Sequence, residues 1–130
     1  MKGVYCLIIH VNRNIRIKVG ALGKINFKKG NYCYVGSAQN NVEKRIKRHF
    51  SDKKKIKWHI DYLLQNRNVK IHKAVYKEEG KDIECKIACI LSQSEHPVKG
   101  FGSSDCKCIS HLFRLKSLKS LKKIRWHANG

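Results

Sequence analysis

The run Val4-Tyr5-Cys6-Leu7-Ile8-Ile9, closed by His10-Val11, restricts the fold more than any other feature of the chain. It is short, rich in Ile, Leu and Val, and reads as a buried strand. Ile15 to Val19 alternates apolar with basic residues and predicts a half-exposed strand. Gly20 and Gly23 then mark a turn. Lys24 to Phe27 predicts the return strand, ended by Lys29-Gly30-Asn31, and Tyr32 to Ser37 predicts another short one. Together these four predict an antiparallel meander.

Helical signals begin at Asn40 and Asn41, either of which can cap a helix over 41–50. Val42, Ile46 and Phe50 recur every four residues and predict its buried stripe. Arg45 and His49 share a face beside that stripe, while Lys44, Lys47 and Arg48 point toward solvent or a ligand. Further helices are expected over about 57–66 and 82–92, with a strand from Val69 to Tyr76 between them. A glycine-rich loop from Gly100 to Asp105 follows, then a late strand from Ile109 to Leu115. A basic amphipathic helix from Ser117 to His127 carries Leu118, Leu121 and Ile124 on one side. No internal repeat or linker interrupts the chain. The expectation is one domain over 1–130 of α/β (α+β) class: a small, mostly antiparallel central sheet flanked by helices.

Charge narrows the partners. The chain has 29 Lys+Arg against 9 Asp+Glu, a formal net charge of +20. Such a field attracts polyanions, and nucleic acid is the expected partner. No apolar run approaches membrane-spanning length, and the N-terminal segment lacks a small-residue cleavage site. The expected location is cytoplasmic, with no membrane partner. In that setting the six cysteines are expected as free thiols or metal ligands rather than disulfides. Cys6 and Cys33 lie inside apolar runs and read as small core residues. Cys85, Cys89, Cys106, Cys108 and His111 invite a zinc reading, although their spacing departs from the CxxC pairs of structural zinc sites.

Gly3-Val4-Tyr5, then Tyr34-Val35-Gly36-Ser37-Ala38, then Glu43-Lys44-Arg45-Ile46-Lys47-Arg48-His49-Phe50 form an ordered set. In that order and spacing they resemble the GIY-YIG nuclease superfamily, over roughly residues 1–92. The segment Trp58-His59-Ile60-Asp61-Tyr62-Leu63-Leu64 and the tail residues Gly102 to Cys106 and Ser110 to Phe113 look like a prokaryotic branch of that superfamily. The resemblance implies metal-dependent endonuclease activity, the hydrolysis of nucleic-acid phosphodiester bonds, with DNA favoured over RNA. It implies that Tyr5 helps to activate the attacking water, that Tyr34 hydrogen-bonds in the same site, and that Arg45 binds the scissile phosphate. Gly36 would allow close backbone approach beside Tyr34, and His49 would line the site. Glu84, early in the third helix, would hold a divalent Mg²⁺ or Mn²⁺; Glu78 and Glu79 are the alternatives in the turn before it.

The chemistry suits these residue types. A guanidinium fork neutralises the charge that builds on phosphate oxygens. A hard divalent cation needs a carboxylate. Tyrosine is a poor base unless nearby cations lower its pKa, which Arg45, the metal and the positive field are expected to do. Further nucleic-acid contacts are expected from Arg48, from the basic loop Lys53-Lys54-Lys55, from His59, and from Ser103 and Ser104.

One departure from the family stands out: residues 12–30 form an enlarged hairpin between the two tripeptides, and residues 100–130 form a basic extension. At this length no separate DNA-binding domain is expected. That predicts modest specificity with strong salt dependence, or a repair or targeting partner protein. Two other functions compete: a non-catalytic nucleic-acid-binding module that retains the fold, and a zinc-stabilised interaction protein.

Overall fold

The computed structural model of the protein describes residues 1–104, 106–117 and, for the backbone alone, 127–129. Strand β1 (Gly3–Val11) lies at the centre. It pairs with β4 (Gly30–Ala38) on one side and β5 (Val69–Lys77) on the other, both antiparallel. The full six-stranded order is β6 (His96–Pro97), β7 (Leu112–Arg114), β4, β1, β5, β8 (His127–Asn129), antiparallel at every pairing. The fold is thus α+β, as the sequence predicts.

Both faces of β1 are buried, and alternation sorts its side chains into two cores. Tyr5, Leu7, Ile9 and Val11 face one core, which contains Val42 and Ile46 of α1 (Val42–Phe50) and Ile60 and Leu63 of α2 (His59–Leu64). Val4, Cys6 and Ile8 face the other, which contains Ile87, Ala88 and Leu91 of α3 (Lys81–Ser94). The sheet is therefore sandwiched between α1 and α2 on one side and α3 on the other. No helix among the described residues is long and apolar enough to cross a membrane.

Several expectations are corrected. The first four strands do not form a meander. Strands β2 (Ile15–Lys18) and β3 (Lys24–Phe27) make a separate two-stranded ribbon. Its Ile15, Ile17 and Ile25 pack half-buried against the α1–α2 core, so β1 meets β4 directly across it. On α1, Phe50 is exposed rather than buried, and His49 completes the stripe with Val42 and Ile46. Spacings of four then three keep those residues on one side of the helix. Asn41 caps α1 as expected, its side chain accepting the Lys44 backbone N–H at 2.9 Å. Helix α2 is shorter than predicted, and the late strand is confined to Leu112–Arg114. Cys6 and Cys33 are core residues, but they are joined by a disulfide across β1 and β4 rather than free. Asp105 and most of the expected helix over 117–127 lie outside the described residues.

Candidate active site

The site forms where β4 outruns its neighbour. Strand β7 pairs only with Tyr32 to Tyr34. The Val35 N–H is met by the His111 carbonyl, and the chain preceding His111 then turns away. The C-terminal end of β4, Gly36-Ser37-Ala38, borders a concavity of about 1190 Å³. Tyr5, Tyr34, Gly36, Arg45 and Glu84 all line it, together with Trp58, His59 and Ser104. The turn of the extra ribbon, at Gly20 and Ala21, lies on its rim. The volume lies slightly above the usual range for a small-molecule pocket. Lys44, Arg45, Arg48, Lys57 and Lys81 contribute positive charge, and Glu84 is the one carboxylate among the described lining residues.

Tyr5 and Gly36 are direct partners across β1 and β4. The Tyr5 ring lies over Gly36 so closely that a Cβ there would meet Tyr5 Cζ and Oη at 2.5 Å. The close approach is therefore to Tyr5, across the sheet, rather than to Tyr34 along the strand. The Tyr5 hydroxyl sits 2.7 Å from His49 Nε2. His49 is buried beneath the site, does not line the concavity, and has no partner for Nδ1 among the described residues. Burial lowers its pKa to about 4, helped by Arg48, Lys54 and Arg45, so the ring is neutral near pH 7. An unpaired acceptor nitrogen costs less than an unpaired N–H, so the favoured tautomer protonates Nε2 and donates to Tyr5 Oη. That leaves the phenolic hydrogen free to donate elsewhere.

Burial outweighs the downward pull of Arg45 on both tyrosine pKa values. Burial raises the Tyr5 pKa above its ordinary value and outweighs the pull of Arg45. Burial raises that of Tyr34 as well, aided by Tyr5 and Glu84. Both are neutral phenols in the resting site.

Arg45 is held by a hydrogen bond from Nη1 to the Ser37 carbonyl at 3.0 Å, and its guanidinium lies 4.6 Å from the Trp58 ring centroid. Arg48 lines the concavity and also has an internal partner. It forms a bidentate pair with Asp61, both contacts at 3.1 Å, and the Asp61 side chain is fully buried. Asp61 also accepts the Lys57 and Trp58 N–H groups. Burial works to raise its pKa, but the Arg48 hydrogen bonds and those backbone donors outweigh it and lower the value.

The basic loop stands apart from the concavity. Lys53 and Lys55 are exposed, while the Lys54 ammonium binds the His49 and Ser51 carbonyls at the end of α1. His59 lines the concavity, its Nδ1 accepting the Gly102 N–H at 2.9 Å, which leaves Nε2 as the protonated nitrogen. Ser104 is exposed on the rim, whereas Ser103 is buried and its carbonyl accepts the Cys106 N–H.

Glu84 has both oxygens engaged. Oε1 accepts from Ser37 Oγ at 2.8 Å, and Oε2 is 3.0 Å from His111 Nδ1. Behind it, Cys85, Cys106, Cys108 and His111 gather with their ligand atoms within 4.8 Å of one another, a cluster able to hold a metal ion. Cys89 is exposed and lies outside it. Irregular sequence spacing is thus no bar, because α3 delivers Cys85 and one loop delivers the other three. Burial and the neighbouring thiols push Cys108 up to about 12. Burial also works to raise Cys106, but the Cys108 N–H, the Cys108 thiol and His111 outweigh it and hold Cys106 down.

Sequence reasoning missed Ser37, Trp58 and Asp61 as site-building residues. Ser37 and Trp58 each adjoin a recognised motif or lie within it, but their partners are remote in sequence. The pairing of Asp61 with Arg48 bridges two helices and has no local signature.

The chain belongs to the family described as Domain of unknown function DUF123, whose model matches residues 4–128. No curated protein and no solved structure matches it.

Proposed function

We propose that this member of the family is a metal-dependent endonuclease of GIY-YIG type, acting on nucleic-acid phosphodiesters and on DNA in preference to RNA. The observation that carries the reading is the shared concavity. Tyr5 and Tyr34 on paired central strands, Arg45 on the next helix and Glu84 on a later one line the same open surface. A chain of net charge +20 brings a polyanion to it.

The donor set fits a divalent cation. An ionised carboxylate offers about four acceptor positions. Ser37 and His111 engage one on each Glu84 oxygen, and Glu84 lines the concavity. Mg²⁺ commonly binds through one or two carboxylates, with substrate oxygens completing its shell. Glu84 would hold Mg²⁺ or Mn²⁺, which would supply Lewis-acid polarisation of a phosphoryl oxygen.

The protein's own groups do the rest. Arg45, anchored on Ser37 and backed by Trp58, presents a fixed guanidinium to the phosphate. Tyr5 offers its hydroxyl hydrogen into the site while His49 Nε2–H holds its oxygen. Donation into Tyr5 Oη favours a phenolate and so works against the burial that holds Tyr5 protonated in the resting site. His59 Nε2–H and the Ser104 hydroxyl are further donors along the rim. Residues Lys53 and Lys55 are exposed contacts for flanking backbone, and a targeting or repair partner would supply further specificity.

The raised tyrosine pKa values favour one second reading, a nucleic-acid-binding module without catalysis. Purified protein incubated with plasmid, branched DNA and structured RNA, with Mg²⁺ or Mn²⁺ and with chelator, separates the two. Metal-dependent nicking of DNA supports hydrolysis. Salt-dependent binding to the same substrates with no cleavage leaves only the binding module.

A further inference from the structure

Four side chains that the hydrolytic reading leaves unused meet between α3 and the loop that returns to β7. We propose that Cys85, Cys106, Cys108 and His111 hold one zinc ion, with Glu84 as the carboxylate that orients His111. The inference does not depend on the hydrolytic reading.

Each of the four offers one ligand atom, and those atoms lie within 4.8 Å of one another. Tetrahedral zinc has Zn–S near 2.3 Å and Zn–N near 2.0 Å, so its S···S edges are about 3.8 Å and its S···N edges about 3.6 Å. Cys106 Sγ and His111 Nε2 already stand 3.4 Å apart. A small contraction around an ion closes the set. Three thiolates and one imidazole are a soft, four-coordinate donor set of the kind that structural zinc takes.

The surroundings complete the pattern. A metal-bound histidine ordinarily donates its other ring N–H to a carboxylate. His111 Nδ1 does so to Glu84 Oε2 at 3.0 Å, which leaves Nε2, the nitrogen beside Cys106, free for metal. Glu84 is in turn fixed by Ser37. The described residues of 98–111 contain no helix or strand, and from this loop Gly102 holds His59 and Ser104 lies on the rim. Zinc would bind that loop to α3 and fix one wall of the concavity.

The test is metal binding by the full chain, prepared under reductant without chelator after growth with added zinc. Elemental analysis is expected to find about one zinc per chain. Stripped, reduced protein titrated with Co²⁺ is expected to show thiolate-to-cobalt charge transfer and the visible bands of tetrahedral cobalt. Cys89→Ser leaves these unchanged, whereas Cys106→Ser, Cys108→Ser and His111→Gln each abolish them. Glu84→Gln keeps the bands but weakens affinity about 10–100-fold. Removing zinc from the wild-type protein lowers Tm by at least about 5 °C. Wild-type protein that is reduced and folded by circular dichroism, yet carries no zinc and gives no cobalt bands, overturns the proposal. So does a loss of the bands in Cys89→Ser equal to that in Cys106→Ser.

Discussion

The Tyr5 hydroxyl and His49 Nε2 lie 2.7 Å apart, joining the central strand to the first helix through two side chains that are almost wholly buried. Replacing Tyr5 by Phe removes that contact and strands the His49 nitrogen. The expected loss of stability is about 1–2 kcal/mol. DNA cleavage by Tyr5→Phe should fall to background while the salt-dependent affinity for DNA stays within about threefold of wild type. Urea denaturation and filter binding measure the two.

The same pair sets a pH dependence. His49 titrates near 4 in the folded protein, because it is buried among cations, against about 6.5 in an unfolded chain. Between those values the unfolded chain binds a proton that the folded chain refuses, so the His49 contribution to stability falls as pH drops from about 6.5 to about 4 and is constant above. The full difference amounts to about 3 kcal/mol. His59, also held down by burial, acts in the same sense. The comparison with His49→Gln therefore isolates the His49 share: its stability profile should be flatter over that window than that of wild type.

Gly36 has no room for a side chain. A Cβ would stand 2.5 Å from Tyr5 Cζ and Oη, and the buried ring has nowhere to swing. Gly36→Ala is expected to cost about 1–3 kcal/mol by overpacking and to displace the Tyr5 hydroxyl from the site. Adding Tyr5→Leu should recover most of the lost stability. Additive losses in the double variant would show that the two residues do not collide.

Much of this frame was legible beforehand. The apolar run at Val4 to Val11 announced a buried centre, and β1 is covered on both faces. The Asn41 cap and the spacing of Val42 and Ile46 placed α1 correctly. Tyr5, Tyr34, Arg45 and Glu84, which the family resemblance singles out, line one surface. The failures share a cause: they depend on contacts between remote segments. Periodicity chose Phe50 for the core, but packing against Tyr5, Tyr34 and Trp58 took His49 instead. Consecutive strands suggested a meander, yet the half-polar β2–β3 ribbon cannot replace β4 beside a strand buried on both faces. Arg48 gave no sign of Asp61, and the loop residues Cys106, Cys108 and His111 gave no sign that they gather with Cys85 of α3.

Arg48 is expected to matter for stability first. Removing it leaves the fully buried Asp61 carboxylate without its bidentate partner. Arg48→Ala should cost about 3 kcal/mol, softened by the Lys57 and Trp58 N–H groups that remain. Arg48→Lys keeps the charge but not the fork and should fall between. A change under about 0.5 kcal/mol in Arg48→Ala would mark an ordinary surface cation instead.

Arg45 carries the central claim, because it lines the concavity and is steadied there by its hydrogen bond to the Ser37 backbone carbonyl. The decisive measurement is the initial rate of metal-dependent DNA nicking by wild type and Arg45→Ala, purified identically and both confirmed folded. The account predicts a rate at least about 100-fold lower for the variant, with Tm reduced by less than about 5 °C. Equal nicking by the two proteins, or none by wild type with either Mg²⁺ or Mn²⁺, would contradict it.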